Sequence, residues 1–335
     1  MEVLIVNQSE VPHLLPMNEC IEVMAQALMT LGRGEAILPL RPVLWLPERV
    51  GALGMMPAYI GMPKAVGLKV VTVFPGNHGT EYDSHQGAVM LFEAEHGSLL
   101  ALIDASAITA IRTAAVSGVA TRLLAREDAS DLAILGSGVQ ARTHLEAMLH
   151  ARPLRRVRVW SKTLEYVQAF AERESRRHGI KIEPMESARE AVEGADIICT
   201  TTSAREPVLR GDWIALGAHI NAVGSSVAFT RELDTAAVAR ARLFVDRRES
   251  TLNEAGDFLM PKKEGAIGDD HIRGEIGEIL LGQIGGRRST EEITLFKSLG
   301  LAVEDLAAAH HIYRKARERG MGTTIEFGGS RNAAT

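Results

Sequence analysis

The chain has little cysteine. Among its 335 residues there are two, Cys20 and Cys199. Two cysteines exclude a framework of several disulfides, so we expect a reducing cytoplasm as the compartment and packing in the core as the role of both thiols. The first residues also lack a basic stretch followed by a long apolar run, so no signal peptide is expected.

Two further absences bear on the possible partners. No apolar stretch is long enough in the sequence to suggest a membrane span, so no membrane partner is expected. The formal net charge is -5 and there is no basic run, which argues against nucleic acid as a partner. Hydrophobic residues make up 46% and charged residues 24%, as in soluble globular proteins, and the length predicts two domains.

The most informative motif is a glycine-rich turn between a predicted strand and a predicted helix. After the apolar strand 132–135, Gly136, Gly138 and Ala141 stand at the spacing of the G-x-G-x-x-G/A fingerprint. The first glycine makes the tight turn, the second admits a pyrophosphate, and the small alanine lets the helix pack closely on the strand. Because strands and helices alternate after this turn, we interpret it as a dinucleotide site and not as a surface turn. The residues expected to meet the pyrophosphate are Ser137, Val139 and Gln140.

The end of the next predicted strand, Arg156–Trp160, indicates which dinucleotide binds. Sites selective for NAD usually have Asp or Glu there, but this strand is followed by Ser161, Lys162 and Thr163. Hydroxyl groups and an ammonium group suit a 2′-phosphate, which a carboxylate would repel. The expected cofactor is therefore NADP(H), with NAD(H) less favoured. The alternative is that Lys162 is only a solvated surface lysine.

The pattern of elements predicts an α/β fold with two parts. A mainly antiparallel α+β unit comes first, with strands over 1–6, 38–46, 51–59, 65–74, 88–93 and 98–104 and a helix over 16–31. A helix over 107–125 links it to a Rossmann-type doubly wound sheet, with strands expected at Asp131, Val157, Ile182, Asp196, His219, Arg242 and Thr294. A helix over 301–319 returns to the first unit, and the tail from Gly320 is expected to be loose. We predict a substrate-binding and dimerisation domain of residues 1–118 with 300–335 and a dinucleotide-binding domain of residues 119–299.

Three cations lie in otherwise apolar segments of the first part: Arg41, Lys69 and Arg112. A buried charge is costly unless it is paired, so each needs an anion or a water-filled cleft. Arginine can grip a carboxylate at two points, and lysine can give a proton to a reacting nitrogen or oxygen. Together they predict a site for a small acidic substrate. Internal ion pairs with Asp or Glu are the alternative for each cation taken alone.

Five motifs in order along the chain together resemble the ornithine cyclodeaminase and mu-crystallin family. They are Gly-Leu-Lys69-Val-Val, Ile-Arg112-Thr-Ala-Ala, Leu-Gly136-Ser-Gly-Val-Gln-Ala, Gly-Ala-His-Ile-Asn221-Ala-Val-Gly and Phe-Lys297-Ser-Leu-Gly-Leu-Ala-Val-Glu-Asp. The similarity extends from about Leu38 to Arg314. It implies a dimerising substrate domain followed by a Rossmann domain, and hence a homodimer. It also implies that the substrate carboxylate binds to the three cations above.

The resemblance also implies which other residues contact the cofactor. Near the nicotinamide half it implies Thr202, Ser203, Val223, Ser225, Lys297 and Leu299. The resemblance also places four further residues near the cofactor, namely Ser84, His85, Arg112 and Thr113. His85 is either a proton relay or a structural histidine. Asp305 is expected to pair across the two domains, and no metal is expected.

Two positions distinguish the activities found in this family. Ornithine cyclodeaminases carry a glutamate before a Met-Pro pair and an aspartate after Asn-Ala-Val-Gly, where this chain has Gly54 and Ser226. The mu-crystallin branch, which resembles ketimine reductases using NADPH, has the pattern seen here. The resemblance implies an NAD(P)H-dependent reductase of cyclic or acyclic α-imino acids, in which Lys69 stabilises or protonates the imine nitrogen and neighbouring arginines lower its pKa. The alternatives are a cyclodeaminase-type lyase and an NADPH-dependent binding protein for a small ligand such as thyroid hormone.

Overall fold

Residues 2–77 and 79–328 are described by the computed structural model. The chain forms two units. The first takes in the residues up to Arg112 and those from Leu301 onwards, and the second takes in Thr113–Gly300. The first of their two boundaries lies inside the helix Ala105–Leu124, which also contains the boundary predicted at residue 118. The predicted fold class, an α/β protein with a Rossmann-type sheet, is confirmed.

The strands in the described part of the chain have the following bounds. They are β1 (Glu2–Val6), β2 (Ala36–Ile37), β3 (Val43–Trp45), β4 (Ala52–Gly61), β5 (Lys64–Val73), β6 (His85–Phe92), β7 (Leu99–Asp104), β8 (Asp131–Leu135), β9 (Arg156–Trp160), β10 (Ile182–Pro184), β11 (Ile197–Thr200), β12 (His219–Ala222), β13 (Arg242–Val245), β14 (Ile272–Glu275), β15 (Thr294–Lys297) and β16 (Thr323–Glu326).

The α-helices in the described part of the chain range in length from about one turn to about five. They are α1 (Val11–Leu14), α2 (Met17–Gly32), α3 (Ala105–Leu124), α4 (Val139–Ala151), α5 (Leu164–His178), α6 (Ala188–Val192), α7 (Thr235–Arg240), α8 (Arg248–Glu254), α9 (Gly256–Lys263), α10 (Ile276–Leu280) and α11 (Ala302–Arg319). Asp104 caps the start of α3, because its Oδ1 atom accepts a hydrogen bond from Ala107 N at 2.8 Å.

The first unit contains one sheet, in the order β16-β1-β7-β6-β5-β4-β2, with β3 paired to β4. Strands β4 to β7 pair antiparallel with their neighbours in the chain. The β1–β7 pair is parallel. Short connections between consecutive strands favour this antiparallel arrangement. The mainly antiparallel α+β architecture predicted for this part of the chain is therefore correct.

Helix α11 packs on this sheet against β4 and β5 and also contacts α2. Its buried face includes Leu306 and Ile312. At Gly67, on β5, an added Cβ atom would clash with the side chain of Leu306 and lie 2.8 Å from the carbonyl oxygen of Met90. Glycine therefore lets the first turns of α11 approach the strand that carries Lys69.

Two predictions for the first unit are wrong. The segment 38–46 is not one strand, because an irregular stretch separates β2 from β3. Pro39 and Pro42 lie in that stretch, and proline has no N–H to donate to a sheet. The tail beyond Gly320 is not loose throughout, since Thr323–Glu326 pairs antiparallel with β1, and residues 329–335 of the tail lie outside the described residues. Threonine and isoleucine favour strands, and this short strand covers an edge of the sheet.

The second unit is built on a parallel sheet in the order β10-β9-β8-β11-β12-β15-β13-β14. Its strands begin within about two residues of the predicted positions, although β14 was not predicted. From β8 the chain proceeds outward through β9 and β10, and it then returns to β11 on the other side of β8. In open parallel sheets, ligands bind at the carboxyl ends of the strands beside such a reversal of order.

Helix α3 contradicts the expectation that no apolar stretch is long enough to span a membrane. Helix α3 is long and apolar enough to cross a membrane by length and composition. However, 78% of the 18-residue apolar stretch of this helix is buried inside the protein. Burial of this kind is found in core helices, which need apolar residues on every side.

Candidate active site

Lys69 is a buried lysine in the middle of the first unit's sheet. It lies on β5 between Met56 of β4 and Val89 of β6, and 3% of its surface is exposed. Its Nζ atom is 2.7 Å from Asp305 Oδ2 and donates a hydrogen bond of 3.4 Å to Thr109 Oγ1. The ammonium group is therefore desolvated but has a carboxylate partner.

Arg112, on α3, shares that carboxylate partner. Its Nε atom donates to Asp305 Oδ1 at 2.9 Å, and its Nη1 atom donates to Glu304 Oε2 at 2.7 Å. Arg112, Glu304 and Asp305 are all buried. One carboxylate therefore joins the lysine and the arginine that the sequence marked as substrate ligands.

The two carboxylates come from adjacent positions in the first turn of α11. An acidic side chain is favoured there because the helix dipole places positive potential at the N-terminus. The Oε2 atom of Glu304 also accepts a hydrogen bond from Leu301 N at 3.2 Å. Glu304 and Asp305 are thus oriented by their own helix as well as by their cationic partners.

Burial lowers the pKa of Lys69 to about 8. Asp305 opposes this by raising the pKa, while Arg112 and Arg41 lower it further. The sequence predicted the direction, but the arginines are a smaller cause than loss of hydration. Arg41, in the irregular stretch between β2 and β3, is half-buried and close enough to Lys69 for its charge to act on it.

The structure shows which of the alternatives left open by the sequence applies to the ion pairs of these cations, and it corrects one expectation. Lys69 and Arg112 have internal ion pairs, which the sequence left open as an alternative for each cation. Asp305 does not pair across the domains, because its two partners belong with it in the first unit. An internal partner does not remove either cation from the candidate site, since each group has further N–H donors.

Ser84 and His85 lie at the start of β6 in the same unit. The hydroxyl of Ser84 is 3.0 Å from His85 Nδ1, and Ser106 Oγ donates to the carbonyl oxygen of His85 at 2.6 Å. Although the ring is exposed, desolvation by nearby protein and the charge of Lys69 lower the pKa of His85. Both effects favour the neutral form of His85, and a hydroxyl group orients its ring.

The glycine-rich turn of the second unit has the geometry that its spacing predicts. Gly136 has a φ of +127°, and an added Cβ would lie 2.6 Å from Thr201 Oγ1. Gly138 precedes α4, and an added Cβ there would meet no atom within 4 Å. Ala141 is fully buried against the sheet. The first glycine is required by the fold, whereas the second leaves space at a helix N-terminus, where an anion is favoured.

The predicted 2′-phosphate residues follow β9. The Ser161 hydroxyl is 2.9 Å from that of Ser137 in the glycine turn, so the ends of β8 and β9 are joined. Lys162 and Thr163 are exposed, and Thr163 precedes α5. The residues therefore combine hydroxyl groups, an accessible ammonium group and a helix N-terminus.

The residues predicted near the nicotinamide half lie beyond the carboxyl ends of three neighbouring strands. Thr202 and Ser203 follow β11, Val223 and Ser225 follow β12, and Leu299 follows β15. The Ser225 hydroxyl donates to Thr230 O at 2.5 Å. These predicted residues thus occupy the edge of the sheet where ligands bind in this architecture.

Three other predicted cofactor residues are wholly or partly buried in the protein. Lys297 is fully buried, with its Nζ 3.0 Å from Asp257 Oδ2 and 3.2 Å from Ala222 O. Thr113 is buried on α3, and the side chain of Gln140, on α4, is partly buried. The ammonium group of Lys297 is therefore engaged with protein atoms.

Sequence reasoning missed several buried acids that organise this edge. Glu232 accepts hydrogen bonds from residues after β11 and β12, and Asp257 binds both Lys297 and the backbone at Glu232. Asp246 Oδ2 accepts from Leu299 N at 2.6 Å. No local signal marks these acids, because Glu232 stands beside Arg231 and Asp246 beside Arg247, whereas the three cations lie in apolar segments.

Comparisons with known proteins identify the family of this chain. The sequence profile of the Ornithine cyclodeaminase/mu-crystallin family matches residues 1–320. The mouse (Mus musculus) ketimine reductase mu-crystallin is 43% identical over 280 residues, covering 84% of this chain and 85% of that protein. The structure of Thermococcus litoralis Delta(1)-pyrroline-2-carboxylate reductase, solved with NADH and L-proline, is 42% identical with a TM-score of 0.94, covering 96% of this chain and 100% of that one. An archaeal alanine dehydrogenase dimer with bound NAD is 33% identical with a TM-score of 0.92, covering 98% of this chain and 100% of that one. The chain therefore belongs to the ornithine cyclodeaminase/mu-crystallin family.

Proposed function

We propose that the protein is an NADPH-preferring reductase of α-imino acids. It is an oxidoreductase acting on imines, like its relatives named ketimine reductase and pyrroline-2-carboxylate reductase. The observation that carries the proposal is the buried Lys69, which is paired with Asp305 and has a pKa of about 8. Such a lysine is largely protonated at neutral pH and can still release its proton to an acceptor.

The second unit fits a nicotinamide dinucleotide. The open space at Gly138 and the N-terminus of α4 suit a pyrophosphate, and the turn at Gly136 depends on glycine. When bound in its reduced form, the cofactor supplies a hydride. The acceptor is the carbon of a C=N bond.

The residues of the first unit bind the substrate and transfer the proton. Arg41 and Arg112 hold the substrate carboxylate, which fixes the orientation of the C=N bond. As the hydride forms the new C–H bond, the π electrons of C=N move to nitrogen, and Lys69 Nζ–H gives that nitrogen a proton. The amino acid leaves, and Lys69 regains its proton from solvent. In the reverse direction Lys69 accepts the proton.

The preference for NADPH is supported by the residues after β9. Ser161, Lys162 and Thr163 offer two hydroxyl groups and an ammonium group, and the segment contains no carboxylate. The alternative is a preference for NADH, because two relatives were solved with NADH or NAD. A direct comparison of the two cofactors decides between them.

A cyclic imine is the first substrate to test. The Thermococcus relative is a pyrroline-2-carboxylate reductase solved with L-proline, which is the saturated form of such a ring. The alanine dehydrogenase relative supports an acyclic imino acid as the alternative. Gly54 and Ser226 stand where cyclodeaminases carry carboxylates, so a lyase lacks its expected acid and base.

We also propose a homodimer in a reducing cytoplasm. The alanine dehydrogenase relative is a dimer, and the first unit exposes large apolar side chains at and near β2 and β3, namely Ile37, Leu44, Trp45 and Val50. Exposed apolar clusters of this kind support a protein interface. Cys20 and Cys199 are both free and buried, as expected where disulfides do not form.

The proposed activity is tested by following oxidation of NADPH and of NADH. The substrate panel is pyrroline-2-carboxylate, piperideine-2-carboxylate, and pyruvate with ammonia or methylamine. We expect turnover of at least one imine, with NADPH giving the larger kcat/KM. Binding of NADPH without turnover, together with release of ammonia from ornithine, would replace the reductase with a lyase. Binding without either reaction would favour a ligand carrier.

A further inference from the structure

Glu232 is a fully buried glutamate whose carboxylate receives four hydrogen bonds. Its Oε1 atom accepts from Thr202 N at 2.6 Å and from Thr202 Oγ1 at 2.7 Å. Its Oε2 atom accepts from Thr200 Oγ1 at 2.8 Å and from Gly224 N at 2.7 Å. Each oxygen therefore binds one backbone N–H and one hydroxyl group.

These donors belong to two separate segments of the chain. Thr200 ends β11 and Thr202 follows it, whereas Gly224 lies in the loop after β12. The two strands are adjacent and parallel, so both segments lie at the carboxyl edge of the sheet. One carboxylate thus ties together the two loops that carry the residues predicted to contact the nicotinamide half.

The contact between these loops leaves no room for a side chain at Gly224. An added Cβ there would clash with Thr202 O and lie 2.5 Å from Glu232 Oε1. The close approach is therefore built into the backbone. A change in the carboxylate group would alter the spacing of the two loops.

Glu232 is itself held by a second layer of buried charge. Asp257 Oδ1 accepts from Glu232 N at 2.8 Å, and Asp257 Oδ2 is 3.0 Å from Lys297 Nζ. The same ammonium group donates to Ala222 O, at the end of β12. These contacts connect the end of β12, through Lys297, Asp257 and Glu232, to the loop that follows β12.

We propose that Glu232 is a positioning residue for hydride transfer, setting the spacing of the loops after β11 and β12 and thereby the placement of the nicotinamide ring. This inference rests on the proposed reductase function. Hydride transfer depends strongly on distance, and a misplacement of about 1 Å can cost about 100-fold in rate. Glu232 acts through the loops and touches neither the substrate nor the reacting atoms.

The variant Glu232→Gln tests this role because it keeps the shape of the side chain. In either orientation of the amide, its NH2 group faces a backbone N–H, that of Thr202 or that of Gly224. The backbone N–H of that loop therefore loses its hydrogen-bond acceptor and faces a second N–H donor. We expect kcat to fall about 10- to 100-fold, with a larger primary isotope effect when the transferred hydride is replaced by deuteride.

Binding provides a readout that needs no turnover. The affinities of wild type and Glu232→Gln are measured for NADPH and for 2′-phospho-ADP-ribose, which lacks the nicotinamide. We expect the variant to lose about tenfold in affinity for NADPH and nothing for the fragment, because the fragment does not reach the loops. If the wild type reduces no imine, the proposed function fails, while this binding comparison still tests Glu232. NADH and ADP-ribose replace the pair if the protein prefers NADH.

Glu174→Gln is a matched control. Glu174 is also fully buried in the second unit, but it lies on α5 and pairs with Arg173 at 2.6 Å. Its replacement should leave kcat, the isotope effect and the affinity ratio unchanged. Equal changes in both variants would overturn the positioning role, as would a Glu232→Gln enzyme with wild-type kcat and affinity ratio.

Thr200→Val covers the case in which Glu232→Gln does not fold. It removes one hydroxyl donor to Glu232 Oε2 and leaves the bond from Gly224 N. We expect smaller changes in the same direction in kcat and in the ratio of NADPH affinity to fragment affinity. A folded Thr200→Val enzyme with wild-type values for both would contradict the proposal.

Discussion

The carboxylate of Asp305 lies 2.7 Å from the ammonium nitrogen of Lys69. Burial, and to a smaller extent the charges of Arg112 and Arg41, lower the pKa of this lysine, while Asp305 raises it, with a result of about 8. Because Asp305 also binds Arg112, the acid that tunes the proposed proton donor is fixed to a proposed carboxylate ligand. Proton transfer and substrate binding therefore share one buried residue.

The Lys69–Asp305 pair predicts the pH dependence of the reaction. Reduction of the imine needs protonated Lys69, so kcat/KM should fall as the pH rises through about 8. Oxidation of the amino acid needs the neutral amine and should instead rise over the same range. In Asp305→Asn the anion that raises the pKa is lost, so both curves should move to lower pH. Profiles of kcat/KM against pH in each direction measure this shift.

Glu304→Gln is the control for that shift. Glu304 is bound to Arg112, whereas Asp305 is the carboxylate paired with Lys69, so loss of the Glu304 charge should weaken substrate binding and leave the pH of the transition in place. Identical pH profiles for wild type and Asp305→Asn would show that Asp305 does not set the protonation of Lys69.

Lys69→Met should remove the proton donor without disturbing the cofactor site. Methionine fills a similar apolar volume, and Asp305 keeps its partner Arg112. We expect imine reduction to fall by about 10²- to 10⁴-fold, the usual contribution of a general acid. The dissociation constant of NADPH, followed by cofactor fluorescence, should stay near the wild-type value. Turnover at the wild-type rate would remove Lys69 from the mechanism.

The parts of the fold that sequence predicts are those with local signals. The strands of the Rossmann sheet and the turn at Gly136 and Gly138 follow from short apolar runs and from glycine spacing, and the structure has them in place. The strand expected over residues 38–46 does not form as one element, because two prolines interrupt its apolar residues.

The partners of the site residues could not be predicted in the same way. Arg112 and Asp305 are 193 positions apart, and their pairing depends on how α11 packs on the sheet. The sequence showed that Lys69 and Arg112 needed anions, but several acids could have supplied them. Glu232 was missed for the same reason, since its four bonds depend on the pairing of β11 with β12.

Lys162→Ala tests the preference for NADPH. Lys162 is exposed after β9, so its loss should not affect folding. We expect the KM for NADPH to rise about tenfold, the effect of one lost charge-assisted contact, and the KM for NADH to stay constant. Lys181→Ala removes another exposed lysine of the same unit and serves as the control. Equal effects of Lys162→Ala on both cofactors would assign the 2′-phosphate to other residues.

Alanine at each of the two glycines of the turn should separate folding from cofactor binding. In Gly136→Ala the added Cβ meets Thr201 at 2.6 Å in a backbone conformation with φ of +127°, so the free energy of unfolding should fall by about 1–3 kcal/mol or more. In Gly138→Ala the added Cβ meets no protein atom within 4 Å, so the Tm without cofactor should match the wild type. The same methyl group occupies the space proposed for the pyrophosphate, so the Kd for NADPH should rise by at least about tenfold. Thermal unfolding with and without NADPH measures both effects, and wild-type NADPH affinity in Gly138→Ala would place the pyrophosphate elsewhere.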